Sequence, residues 1–314
     1  MYVHVYSGLM SRCITLAHAY YLLKNYGGGR RKRLVVVWPL DKDCGIHFWE
    51  VFAHDMFEDI ELKVIEVNLK YLNYSEYGGF WSNIREKHFV KAIRFVITVF
   101  KDRCLEKLVK IIFGKKYCLY QIPIEIEELS DEYMEYMFNV WKRVKNVLSG
   151  NRKIYIHAFG GIIRDKEQEN VNLSVIKFRQ EYWKTVEEII NPNEKIIGIH
   201  IRRTDHQRAI EASGTDAFVK KIDEILEKQG DAKFFLATDD ISEEENLKNR
   251  YGDKIIVQKN KEWGRAKSSE MKSGIIDCLC LSRCEYILGS YTSVFSSFAA
   301  KYGGKELIIC KNDN

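Results

Sequence analysis

Residues able to bind a phosphate follow a β-like segment in the middle of the sequence. In the stretch KIIGIHIR the side chains alternate between two faces, so three isoleucines share one face whereas His200 and Arg202 share the other. An arginine is a permanent cation whose planar guanidinium can hold a phosphate through two hydrogen bonds. Arg202 is therefore the first candidate for contact with an anionic ligand, with His200 beside it.

The neighbouring Arg203 falls on the isoleucine face of the same segment. We expect it to pair with an internal carboxylate rather than to touch a ligand. A strand that ends in two arginines is also commonly structural, and that explanation stays open at this point.

Two further β-like segments end in polar residues. KFFLATDD ends in Thr238, Asp239 and Asp240, and YILGS is followed by Tyr291, Thr292, Ser293 and the helix-like run VFSSFAAKYG. A helix that starts near Thr292 and Ser293 presents free backbone N–H groups and a positive dipole end to a phosphate. Carboxylates accept hydrogen bonds from ribose hydroxyls, and Asp277 could accept from the parallel N1–H and NH2 donors of guanine. Each feature alone can be a helix cap, but together they predict a nucleotide diphosphate site.

The elements that position these residues alternate between strand and helix. Strands are predicted in KIIGIHIR, KFFLATDD, KIIVQ, YILGS and ELIIC, with helices near 215–228, 242–250, 270–284 and 294–302. A helix from about Leu173 to Ile190 precedes them and is ended by Asn191 and Pro192. In such α/β sheets ligands bind outside the carboxyl ends of the strands, where the polar residues lie.

The first half of the chain has the same character. VHVYSG, a helix from about Ser11 to Lys24, RLVVVWP, LKVIEV and IYIHAF follow one another, with the turn GGGRRKR as a solvated connection. We therefore predict an α/β fold of two domains, residues 1–172 and 173–314, with mostly parallel sheets.

Composition limits the class of protein. The net charge of +5 is too small to indicate a nucleic-acid partner, and charged residues interrupt every apolar stretch before it could span a bilayer. The first residues lack the pattern of a secretory signal, so we expect a soluble, cytoplasmic protein. The 8 Cys are scattered through apolar segments as reduced thiols, and Cys278, Cys280 and Cys284 lack a second cluster with zinc-ligand spacing.

One segment is markedly basic. Residues 85–116 carry ten Lys/Arg and three Asp/Glu, with Ile97, Phe100, Cys104, Leu108 and Ile111 at helical spacing. A solvated helix face explains this pattern, and peripheral contact with an anionic membrane or a lipid-linked acceptor is the alternative.

Three sequence motifs resemble those of the α1,6-fucosyltransferase superfamily. They are HIRRTD, LATDD and GIIDCLCLSRCEYILGSYTSVFSSFAA. This superfamily includes core N-glycan and nodulation-factor fucosyltransferases, with protein O-fucosyltransferases as more distant relatives. The opening SGLMSR also resembles the family's Gly-rich first turn, whereas residues 60–190 contribute little to the resemblance.

The resemblance implies a GT-B fold, two facing Rossmann-like domains of which the second holds most of GDP-fucose. It implies that Arg202 binds the β-phosphate, that Ser293 also contacts the diphosphate, and that His200 and Asp277 face the guanine. Asp239 and Asp240 would lie around the nucleoside, with Arg203 organising the loop. Gly8 would permit close approach of the backbone, and Arg12 would reach the diphosphate from the first domain.

The general base is less sharply defined. His206 occupies the position of a family lysine, Glu211 approximates the family glutamate, and Asp205 is the second candidate. Asp41, Asp43 and Glu50 of the first domain are further alternatives, each of which is also explained as an ordinary surface charge.

The expected activity is an inverting, metal-independent transfer of L-fucose from GDP-fucose to a hydroxyl of a saccharide or glycolipid, with no other cofactor. Two alternatives stay open. One is the same fold using another sugar nucleotide or a peptide acceptor. The other is a non-catalytic protein that binds a nucleotide or a glycan.

Overall fold

The computed structural model describes residues 1–28, 32–69, 104, 107–108, 111–112, 118–120, 131–150, 152–158, 160–163, 165–204 and 207–312. The chain divides into two compact units. The first unit is Met1–Lys177 with Arg265–Lys267, and the second is Phe178–Gly264 with Ser268–Asn314. Within the described residues each unit contains one five-stranded sheet.

The first unit is built on a parallel sheet with the strand order β3-β2-β1-β5-β4. Its strands are β1 (Tyr2–Val5), β2 (Arg33–Leu40), β3 (Glu61–Asn68), β4 (Cys118–Tyr120) and β5 (Tyr155–Ala158). Its helices are α1 (Leu9–Tyr26), α2 (Phe48–Val51) and α3 (Asp131–Ser149). The run of valines in β2 is buried, as expected for a parallel strand covered on both faces.

The second unit is also a parallel α/β sheet, with the strand order β10-β9-β6-β7-β8. Its strands are β6 (Ile196–Ile201), β7 (Lys233–Thr238), β8 (Ile255–Ile256), β9 (Tyr286–Ser290) and β10 (Glu306–Cys310). Its helices are α4 (Gln180–Ile189), α5 (Gln207–Ala212), α6 (Thr215–Lys228), α7 (Ile241–Tyr251), α8 (Ser268–Arg283) and α9 (Val294–Gly303).

The alternation predicted along β6 is present in the packing of this unit. Ile197, Ile199 and Ile201 lie in one buried cluster with Phe218 and Ile222 of α6. The opposite face of the strand is thereby left for His200, and it is this face that carries the polar residues of the candidate site.

The helix predicted from about Leu173 to Ile190 begins later than expected. A single 3-10 turn spans Leu173–Val175, and the α-helix proper starts at Gln180. The side chain of Asn172 accepts a hydrogen bond from the Ser174 amide, so the first residues of the predicted helix form a short capped turn. The prediction was wrong about the start because apolar periodicity does not distinguish a turn from a helix.

Most of the basic segment 85–116 lies outside the described residues. Among its described positions, Leu108 is 56% exposed and Ile111 is 78% exposed. None of the described helices combines the length and the apolar composition that crossing a membrane requires.

Candidate functional site

The candidate site lies where the strand order of the second sheet changes direction. β6 is flanked by β9 on one side and by β7 on the other, so the chain winds outward both ways from this position. The hydroxyl of Ser290, the last residue of β9, accepts a hydrogen bond of 3.0 Å from the Arg202 amide. This contact holds together two strand ends at the point where open α/β sheets bind their ligands.

His200 is the buried centre of this site. Its ring stacks on Phe295 of α9 with a centroid separation of 4.8 Å, and its Nδ1 lies 3.4 Å from the Ser293 hydroxyl. Burial and then the nearby charge of Arg202 lower the pKa of His200 to about 3. The imidazole is therefore neutral at physiological pH, with one donor and one acceptor for its hydrogen bonds.

Arg202 forms an ion pair with Asp239 across the ends of β6 and β7. Nη1 lies 2.7 Å from Oδ2, and the two side chains are 18% and 21% exposed. Asp239 also accepts 2.7 Å hydrogen bonds from the Arg203 amide and the Thr204 hydroxyl. Burial works against ionisation of Asp239, but Arg202 and these donors lower its pKa. The carboxylate therefore fixes a guanidinium that retains contact with solvent.

Arg203 points into the protein. Its Nε donates to Glu243 at 3.2 Å, and its two terminal nitrogens donate to the Ser213 carbonyl at 2.9 Å and the Thr215 hydroxyl at 3.2 Å. Glu243 is the internal carboxylate partner that strand alternation predicts for this residue. Arg203 therefore ties the end of β6 to the start of α6.

Asp240 is the N-cap of α7. Its carboxylate accepts from the backbone amides of Ser242 at 2.8 Å and Glu243 at 3.2 Å. Hydrogen bonds to the Ser242 side chain and to these amides lower its pKa in spite of slight burial. Its observed contacts are thus those of a cap, the alternative that the sequence left open for this acidic pair.

The other side of the site is the start of α9. Ser293 precedes the helix and makes no side-chain capping hydrogen bond, while Thr292 adopts a positive φ of 55°. The Thr292 side chain is exposed and donates to the Tyr291 carbonyl at 2.8 Å. This turn presents the amino end of α9 beside His200, and helix N-termini favour anions.

Asp277 of α8 also belongs to the site. Its principal partner was not identified from the sequence. The Asp277 carboxylate lies 2.7 Å from Lys261 Nζ, with both side chains almost fully buried. Lys261 also donates to the Thr238 carbonyl at 2.6 Å and lies over the Trp263 ring. Burial raises the pKa of Asp277 to about 6 even though Lys261 opposes the shift. Nothing in the local sequence distinguishes Lys261 from the exposed lysines around it.

Glu211 is set apart from this group of contacts. It is an exposed residue of α5 whose carboxylate accepts from the Gln207 amide at 2.7 Å. Asp205 and His206 lie outside the described residues. The assignment of the general base to Glu211, with Asp205 as the second candidate, therefore stays a prediction.

Arg12 and Gly8 lie in the first unit. Gly8 precedes α1, and an added Cβ at this position would meet no atom within 4 Å apart from its chain neighbours. Arg12 has no exposed side-chain surface and pairs with Asp41 at 2.7 Å. Its Nε also donates to the Ser7 carbonyl at 2.7 Å, and Nη1 donates to the Pro39 carbonyl at 2.5 Å. These contacts are structural, and the predicted ligand contact of Arg12 and the alternative role of Asp41 as a base stay predictions.

The other first-unit candidates for a base also have structural contacts. Glu50 completes a capping box with His47 at the start of α2. The Asp43 amide donates to the Asp41 carboxylate at 2.9 Å, within the turn that follows β2. Glu50 thus takes part in helix structure through its side chain and Asp43 in the turn through its backbone, and a role of either as a base stays a prediction.

Solved fucosyltransferase structures have a similar fold. POFUT1 in complex with GDP superimposes with a TM-score of 0.51 and 9% identity, covering 98% of this chain and 98% of that one. NodZ alpha-1,6-fucosyltransferase soaked with GDP-fucose gives a TM-score of 0.50 and 16% identity, covering 96% and 92%. The same enzyme co-crystallised with GDP gives 0.50 and 17%, covering 95% and 91%. The predicted α/β class with two Rossmann-like units of the GT-B type is confirmed by this likeness.

Sequence comparison is less informative than the fold. No protein-family profile matches the chain. A search of curated proteins also finds no significant match.

Proposed function

We propose that this chain is a fucosyltransferase that uses GDP-fucose as donor and a saccharide hydroxyl as acceptor. The observation that carries the proposal is the arrangement at the junction of β6, β7 and β9. There a partly exposed Arg202, held by Asp239, lies with neutral His200 and the amino end of α9. A cation and a helix N-terminus beside a switch point suit the binding of a diphosphate.

The fold adds support from a separate direction. Structures of the same fold have been solved with GDP and with GDP-fucose. Since identity to these structures is 9–17%, this likeness concerns architecture, and the assignment of donor rests on the residues of the site.

In the proposed reaction an acceptor oxygen attacks the anomeric carbon of fucose while the bond from that carbon to the β-phosphate oxygen breaks. The bonding electron pair leaves with GDP, and the acceptor proton passes to the general base. Negative charge grows on the departing diphosphate, so a fixed cation and backbone N–H groups stabilise the transition state more than the ground state. We further propose inversion at the anomeric carbon and a reaction without a metal ion, with Arg202 in the role of the cation.

The acidic pair after β7, Asp239 and Asp240, is compatible with a reaction in which Arg202 and not a metal ion is the cation. Asp239 accepts from Arg202, Arg203 and Thr204, and Asp240 caps α7. Both carboxylates are thus engaged by protein donors. A turnover that requires divalent ions and disappears with a chelator would contradict the metal-independent part of the proposal.

Incubation with GDP-fucose and a glycan array tests the function directly. We expect fucose transfer to a small set of acceptors, reduced about 100-fold or more in Arg202→Ala. Transfer only from other sugar nucleotides would contradict GDP-fucose as the donor. Transfer only to peptides in a parallel panel would contradict a saccharide as the acceptor. Tight binding of GDP-fucose with neither hydrolysis nor transfer would instead indicate a non-catalytic binding protein.

The base is tested on the same acceptor. Glu211→Gln should lower kcat about 100-fold or more while leaving the Kd for GDP unchanged, since a general base acts on the acceptor proton. An unchanged kcat would transfer the role to Asp205, which Asp205→Asn then tests.

A further inference from the structure

Lys261 lies in the connection between β8 and α8, outside the motifs that suggested the site. Its side chain is 8% exposed and that of Asp277 is 5% exposed, so their contact is shielded from solvent. The ammonium donates to the Thr238 carbonyl at the end of β7, and one ring face of Trp263 lies 4.2 Å away. A buried lysine requires such a set of partners, because an uncompensated charge is strongly disfavoured.

The second oxygen of Asp277 faces an amide. The orientation of the Gln258 amide is assigned from its neighbours, with the nitrogen 3.1 Å from Asp277 Oδ1 and 3.0 Å from the Ser273 carbonyl. Lys261 therefore holds Oδ2 while a neutral donor meets Oδ1. A guanine edge offers neutral N–H donors of the same kind, so it can compete for Oδ1 and leave the ion pair intact.

We propose that Lys261 is a positioning residue for nucleotide recognition: by binding Asp277 Oδ2 and the Thr238 carbonyl, it keeps the Asp277 carboxylate ionised and oriented to read guanine. The inference rests on the proposed function, since it assumes that the second unit binds a guanine nucleotide. It adds a residue that determines base specificity without touching the phosphates or the sugar.

The electrostatic surroundings of Asp277 agree with this role. Besides Lys261, the titratable groups coupled to it are Glu244 of α7 and the adjacent thiols of Cys278 and Cys280. Burial raises the pKa of Glu244 and of both thiols, whereas Lys261 opposes the shift at Asp277 and, together with Lys248, at Glu244. Without Lys261, burial would raise the pKa of Asp277 further, and the protonated acid would lose an acceptor.

Calorimetric titration with GDP and IDP between pH 5.5 and 8.5 tests the proposal. IDP lacks only the exocyclic amine, so the ratio of the two Kd values cancels the ionisation of the diphosphate. For the unaltered protein we expect GDP to bind about tenfold or more tightly than IDP above pH 7, with the preference lost as the pH falls through about 6.

Lys261→Met should abolish most of that preference at pH 7 and move its loss to a higher pH. Lys261→Arg retains a cation and should restore the preference and its pH profile. Lys259→Met, at an exposed lysine of the same connection, is the matched control and should behave like the parent.

The outcomes separate this inference from the proposed function. If Lys261→Met keeps the parent's GDP preference and pH profile, the inference is wrong while the function stands. If the parent protein binds neither GDP nor GDP-fucose, the proposed function fails, and this inference falls with it. If Lys261→Met does not fold, Lys261→Arg and Asp277→Asn provide the test. The proposal is overturned if the folded Lys261→Arg variant loses the preference for GDP while Asp277→Asn keeps that preference.

Discussion

Each unit contains an arginine–aspartate pair whose aspartate directly follows a strand, and the two pairs differ in their exposure to solvent. In each sheet a central strand has a neighbour that is followed directly by an aspartate, Asp41 after β2 and Asp239 after β7. Arg12 and Asp41 are fully buried, whereas Arg202 and Asp239 are 18% and 21% exposed. The pair of the first unit is thus closed to solvent, whereas the pair of the second unit includes a cation that solvent can reach.

The residues near the strand ends of the two units also differ in charge. In the first unit His4 and His157 face each other across β1 and β5, and Tyr6 stacks on His157 with a centroid separation of 4.3 Å. Burial lowers the pKa of both histidines, that of His157 to about 3, so this cluster is neutral. The second unit instead has Arg202 and Asp239 directly after β6 and β7, so two similar parallel sheets carry different side chains near their strand ends.

The largest effect is expected from breaking the buried pair of the first unit. Arg12→Met should lower the free energy of unfolding by about 3–5 kcal/mol, because it leaves the Asp41 carboxylate buried without its cation. Chemical denaturation monitored by circular dichroism measures the loss. Arg33→Ala, at the exposed Arg33–Glu61 pair, is the control and should leave stability unchanged. A stable Arg12→Met protein would remove the structural half of the comparison.

Arg202→Ala tests the other half. It should lower kcat/KM for transfer about 100- to 1000-fold, the cost of removing one group that stabilises transition-state charge, while the melting temperature changes little. Steady-state kinetics with GDP-fucose and the acceptor found on the array give the ratio. Near-normal kinetics in the folded variant would mean that the ligand-binding cation lies elsewhere.

Arg203→Ala should affect stability more than Arg202→Ala does. Its guanidinium joins Glu243, Ser213 and Thr215, so we expect a loss of about 2–3 kcal/mol in unfolding free energy. Thermal denaturation of both variants makes the comparison, with Arg250→Ala at an exposed ion pair as the control. Equal melting temperatures for the two arginine variants would erase the distinction between the faces of β6.

The smallest effect is expected at Asp240. Removing its carboxylate in Asp240→Ala deletes the N-cap of α7 and should lower the free energy of unfolding by about 1 kcal/mol. GDP affinity should stay within about threefold of the parent, since the observed contacts of this side chain are with α7. A loss of GDP binding with unchanged stability would return Asp240 to the nucleoside, as the family resemblance implies.

Much of the second sheet could be read from the sequence because its signals are local. Period-two alternation in β6 separates the isoleucine face from His200, and the polar residues after β7 and β9 mark the strand ends. The start of α4 was misplaced because a capped 3-10 turn and a helix share the same apolar spacing over a few residues.

The sequence by itself determined the order of the strands and main helices of the second unit, the face on which each β6 side chain lies, and the polar character of the carboxyl ends. In the first unit it missed β4 and α3. Only the tertiary structure decided which charges meet. Lys261 reaches Asp277 from another connection, and Arg12 is buried against the residue that follows β2. Alternation and capping depend on a few neighbouring residues, whereas burial and ion pairing depend on segments that only the folded chain brings together.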